Sequence, residues 1–122
     1  MNPFVGAWAA NLSKSKLHPD SPFHSPTLHV DVVGDTVTIT DVVVDTLGRE
    51  ERHKNILQAD GKEHPSEYGG YLLVARWLNS HALEAVVKNN GEVEGRVTYE
   101  VSVDNATLTI LAGDRVFVCD RQ

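Results

Sequence analysis

The chain has one cysteine, Cys119, in 122 residues. No intrachain disulfide can form, so the fold must hold by burial alone, which a domain of this length can supply. No apolar run approaches the 18 or so residues of a membrane-spanning helix. Residues 1–12 lack a basic start and an unbroken apolar stretch, so no signal peptide is expected here. A lone thiol suits the cytoplasm, while removal of a signal peptide would place the chain in the periplasm or outside the cell. Positive charge is sparse: 11 Lys and Arg face 17 Asp and Glu, for a net charge of −6. The basic residues are scattered, with Lys14 and Lys16 the longest cluster, which argues against a nucleic-acid partner. No stretch keeps a 3.6-residue apolar period for three turns, and there is no repeat or low-complexity tract. A G-x-S-x-G nucleophile setting is also missing, as is any feature near Cys119 that would activate its thiol, so no enzyme is expected.

What the sequence does contain is regular punctuation. Turn pairs such as Gly34-Asp35, Asp60-Gly61, Asn90-Gly91 and Gly113-Asp114 separate short runs rich in Val, Thr, Leu and Tyr. Strands spaced roughly 8–12 residues apart with turn signals between them predict an all-β sandwich or barrel. Tight turns favour an up-and-down antiparallel meander, and closure would remove its exposed edges. We therefore expect a single domain over residues 1–122, an antiparallel barrel of about 8–10 strands. The first strand is expected at 4–10, with Phe4, Gly6 and Trp8 on one face. The 92–103 stretch alternates most cleanly, with Val93, Gly95, Val97, Tyr99, Val101 and Val103 on one face. Residues 49–59 form the most polar strand, turned by Asp60-Gly61. Gly34-Asp35 suits a type II′ hairpin. Residues 81–89 are expected as a strand with His81, Leu83, Ala85 and Val87 inward and Glu84 and Lys88 in water; a helix over 78–88 is the alternative. Three prolines, Pro19, Pro22 and Pro26, make 13–26 a short helical turn and an extended loop, the candidate lid or plug.

Gly6-Ala7-Trp8 resembles the opening G-x-W of the calycin group, the lipocalins and fatty-acid-binding proteins. The longer string GAWAANLSKSK, residues 6–16, looks like a group of small bacterial lipocalin-like domains. The resemblance implies a lipocalin-like barrel in which Gly6 and Trp8 form the floor. Gly allows the sharp bend, and Trp fills the bottom and needs a partner for its indole N–H. The second lipocalin motif, T-D-Y, has no counterpart. Fatty-acid-binding proteins also end in R-x-Y, whose Arg and Tyr bind a carboxylate. Arg115-Val116-Phe117 keeps the Arg and the spacing but lacks the hydroxyl. Arg115 is then either a carboxylate ligand, a solvated strand-edge charge, or a cap over Trp8.

Inside such a barrel, Tyr71, Leu73, Trp77 and Tyr99 would line or fill the space, with the small Ala75, Ala85 and Gly95 among them. Glu51, His53 and Asn55 would point inward if Arg52 and Lys54 face water, making His53 a polar anchor. An apolar pocket with a few polar anchors is the usual small-molecule site. The expected function is non-enzymatic binding of a small apolar or amphipathic molecule by His53, Tyr71, Leu73, Trp77, Tyr99 and Arg115, in a monomer or homodimer. A filled barrel serving as an interaction module is the rival, and a haem- or metal-binding barrel the third class. The six histidines, including His18, His24 and His29, match no ligand spacing, so no metal or cofactor is expected. Asn11-Leu12-Ser13 and Asn105-Ala106-Thr107 fit the glycosylation pattern, and the latter reads as turn chemistry.

Overall fold

A computed structural model describes residues 2–11, 13–14, 27–44, 47–65, 70–113 and 115–122. Ten strands follow in chain order: β1 Gly6–Ala10, β2 Thr27–Val33, β3 Thr36–Val44, β4 Glu50–Gln58, β5 Asp60–Pro65, β6 Leu72–Asn79, β7 Ala82–Asn89, β8 Glu92–Val101, β9 Thr107–Ala112 and β10 Arg115–Arg121. They form one antiparallel sheet in the order β4-β3-β2-β1-β10-β9-β8-β7-β6-β5. The sheet curls into a nearly closed up-and-down barrel, as the meander predicts. Pairing of β1 with β10 joins the two ends of the chain, with Trp8 opposite Arg121. The seam lies between β4 and β5, the two edge strands.

The turns obey the glycine chemistry that signals them. Gly34 alone takes positive φ (61°) between Val33 and Thr36, as a type II′ turn requires. Asn90 (φ 53°) and Gly91 (φ 81°) are both left-handed, as type I′ demands, and link Asn89 to Glu92.

Register fixes the inner face. Trp8, Leu28, Asp41 and His53 stand side by side across β1–β4, and Gly6, Val30, Ile39 and Asn55 form the neighbouring row. In the other half, Trp77, Leu83, Tyr99, Ile110 and Phe117 line up across β6–β10, beside Ala75, Ala85, Val97, Ala112 and Arg115. The buried core joins Phe4, Trp8, Val37, Leu83, Leu108 and Cys119 from both halves. Phe4 and Trp77 meet with ring centroids 5.3 Å apart.

Five expectations are corrected. β1 begins at Gly6, although Phe4 is buried beside it. Asp60-Gly61 does not turn a hairpin: only Ala59 separates β4 from β5, and these pair with β3 and β6, not with each other. The polar run 60–65 is therefore a tenth strand. Val93 is 55% exposed, because a bulge in β8 at Glu94 pairs Val93 with Lys88 and shifts the alternation by one residue. Val103 is 95% exposed in the turn after β8, which ends at Val101. Residues 82–89 are the expected strand, but Glu84 is not left in water, because both faces are covered: Ala82 and Val86 are buried, and the Glu84 side chain is only 13% exposed. Arg76 and Arg96 reach Glu84 from the flanking strands at 3.4 and 3.9 Å. The lid or plug expected at 13–26 lies outside the described residues beyond Ser13 and Lys14, and His18 and His24 lie outside with it.

Candidate functional site

The barrel floor is built first. Gly6 has φ of 139°, a backbone conformation side chains avoid, and an added Cβ would lie 2.7 Å from the Arg121 guanidinium. Trp8 is fully buried, and its indole N–H donates to the Phe4 carbonyl at 3.0 Å. Arg121 lies over the Trp8 ring, 4.1 Å from its centroid. Its guanidinium donates to the carbonyls of Val5 at 2.9 Å and Asn105 at 2.6 Å, and also to that of Pro3. The cap over Trp8 is therefore Arg121, not Arg115, and the sequence reading missed it. Arg121 sits opposite Trp8 in the β1–β10 pairing, a contact between chain ends that no local motif announces.

Above the floor a cleft of about 450 Å³ opens between the β4 edge and β5–β8. Leu57, Tyr71, Leu73, Ala85, Val97 and Tyr99 are among its walls, with Asn55 and Pro65 near the seam. Of the expected site residues, the structure brings Tyr71, Leu73 and Tyr99 together here. Trp77 shares the inner face one row away, packed on the core and on Phe4. His53 keeps its inner-face register, but its side chain is 63% exposed and lies 3.6 Å from Glu51. It is a group at an open edge rather than an enclosed anchor, because β4 pairs on its far side with no strand among the described residues. Arg115 is exposed at the start of β10, paired with Ala112. His81 does not line the interior: it sits in the β6–β7 turn, within hydrogen-bond distance of Ser80 and of Asn105 on the floor. Asn105 itself has a φ of 61°, in line with its reading as a turn residue.

Sequence reasoning also missed Asp41. It stands on the inner face of β3, between Leu28 and His53, and is partly buried. Desolvation raises its carboxyl above the ordinary value, partly offset by His53. Tyr99 is pushed up to about 12, first by burial and then by the Asp41 charge. The Cys119 thiol is likewise pushed up to about 12 by burial, with Asp120 and Asp41 adding to it. Asp41 thus acts across the interior on both β8 and β10. A Val-Thr strand with one Asp reads as an ordinary half-exposed strand, so only the register reveals the inward carboxylate. Among the described residues no three His, Cys, Asp or Glu side chains converge to hold a metal ion. No helix among them is long and apolar enough to cross a membrane.

Comparison with solved structures shows that this ten-stranded up-and-down barrel is a fold shared with known proteins. A point mutant of the fluorescent protein UnaG superposes with a TM-score of 0.65 at 20% identity, covering 98% of this chain and 96% of that one. Wild-type UnaG gives 0.61 at 19% identity, with 98% and 97% covered. A Schistosoma mansoni fatty-acid-binding protein, in complex with arachidonic acid, gives 0.62 at 13% identity, with 100% and 98% covered. These likenesses establish the fold, as the G-x-W resemblance implies. No protein-family model matches the chain, and no curated protein sequence matches it either.

Proposed function

We propose that this chain is a non-enzymatic carrier or sensor that holds one small apolar or amphipathic molecule in the cleft between β4 and β8. The observation that supports this most directly is the cleft itself. At about 450 Å³ it falls within the range of small-molecule pockets, which begin near 300 Å³. Its walls are mainly aliphatic and aromatic, with Tyr99 and Asn55 as polar groups that can orient a ligand. The fatty-acid-binding protein of the same fold holds a long-chain lipid, which adds support for a ligand of this size class.

Nile red, a neutral dye that brightens in apolar surroundings, tests the reading. One dye per chain is expected, with binding weakened by Val97→Phe, which narrows the cleft, and unaffected by Val103→Ser on the exposed turn. Thermal unfolding of each variant checks that the barrel survives. Absence of saturable dye binding by the folded protein, or equal binding by Val97→Phe, contradicts the proposal.

A further inference from the structure

We infer that the interior selects amphiphiles whose head group is a protonated amine over those ending in a carboxylate; this deepens the binding function proposed above and rests on it. Asp41 carries the inference. Its carboxylate belongs to the inner row Trp8, Leu28, Asp41, His53, and it makes no hydrogen bond or ion pair with another described residue. Tyr99 lines the cleft; Asp41 is not one of the cleft's wall residues but lies near enough on the inner face for its charge to act on the Tyr99 phenol, whose hydroxyl bonds to no other described residue. A partly buried carboxyl and a phenol oxygen therefore face the same interior, and among the described residues only His53, open to water at the β4 edge, lies beside Asp41 as a group that can become cationic.

The other charged or titratable groups on the inner face are accounted for, among the described residues. Arg121 is held on the floor by three backbone carbonyls and the Trp8 ring. His64 is bonded to Asp60 at 2.9 Å. Glu51 and His53 lie on the exposed stretch of β4 and face each other. Arg115 is exposed at the start of β10, and Phe117, two residues on, has no hydroxyl to share a carboxylate with it. Cys119 is a buried neutral thiol. No enclosed cation among them awaits a carboxylate. A carboxylate head drawn in beside Asp41 would add a like charge where water is scarce, which is costly. An ammonium head instead supplies the hydrogen-bonded cation that Asp41 lacks among the described residues, where only the exposed His53 acts on it, and Tyr99 can accept a second hydrogen bond from that head. The net charge of −6 attracts the same head at longer range.

Dodecylamine, dodecanol and dodecanoate share one tail and differ only in head group. Each is titrated against bound Nile red at pH 7, below its micelle concentration. The amine is expected to displace the dye at about tenfold lower concentration than dodecanoate, with dodecanol between, as a desolvated charge contact predicts. Asp41→Asn is expected to erase most of that ratio while leaving dodecanol within about twofold, because a neutral head does not sense the charge. Asp31→Asn removes an equal charge from the exposed outer face of β2 and is expected to leave the ratio unchanged. Dodecanoate binding as well as the amine overturns the inference, and so does an Asp31→Asn variant that lowers the ratio as far as Asp41→Asn. If dodecanol binds and the heads are not distinguished, the cleft is a binding site and the selectivity is wrong. If none of the three displaces the dye, the binding function falls with it.

Discussion

Single side chains set the two ends of the barrel. At the floor, Gly6, Trp8 and Arg121 form one unit: the guanidinium occupies the space a Cβ at position 6 would need. Arg121→Lys keeps the charge but cannot span three carbonyls and an aromatic face together. It is expected to cost about 2 kcal/mol in urea unfolding, given the usual worth of charged hydrogen bonds and a cation–π contact. Trp8→Ala should cost about 3–5 kcal/mol, as large-to-small changes at buried aromatic sites do. Cys119 is fully buried with its thiol pushed up to about 12, so it should be inert while the barrel is closed. Ellman's reagent at pH 8 is expected to react at least about a hundredfold more slowly with native protein than in 6 M guanidinium chloride, through opening events alone. Fast native labelling would contradict the burial. Gly6 and Trp8 were legible through the resemblance of Gly6-Ala7-Trp8 to a known barrel-opening motif. Arg121 and Asp41 were not, since their roles depend on partners in strands far away along the chain.

At the scale of strands and turns, the alternation of Val and Thr and the glycine pairs carried most of the information. Gly34 and the Asn90-Gly91 pair adopt the left-handed angles that their sequence signals require. Gly91→Ala is expected to cost about 1–2 kcal/mol, the penalty of a left-handed alanine, while a Gly34-Asp35 turn left intact preserves the β2–β3 register. Chemical denaturation of the two forms checks it. What the pattern hid were irregularities. The bulge at Glu94 displaces Val93, because a strict period of two cannot see an inserted residue. β5 was invisible because Asp60–Pro65 is polar, and an edge strand needs no apolar face on its free side. The same edge position explains why His53, correctly assigned to the inner face, is open to water.

For the whole molecule, the meander and the closing contact of first and last strands define a container, and Asp41 gives it an electrical character. Burial holds the Asp41 carboxyl above its ordinary value of 3.8, so the native state keeps that proton more tightly than the unfolded chain does. Its contribution to stability is then fully present below about pH 4 and is lost as pH rises through the native value. Asp41→Asn should therefore raise the Tm at pH 7 and leave it nearly unchanged at pH 3. An equal effect at both pH values would mean that the side chain matters for packing and not for charge.

The central claim is that the cleft between β4 and β8 holds a ligand, and methyl-resolved NMR tests it most directly. On saturation with dodecanol, the methyl signals of Leu57, Leu73, Ala85, Val87 and Val97 are predicted to shift, while the exposed Val33, Leu47 and Val103 stay still. Shifts confined to the exposed methyls, or no saturable shift anywhere, would contradict it.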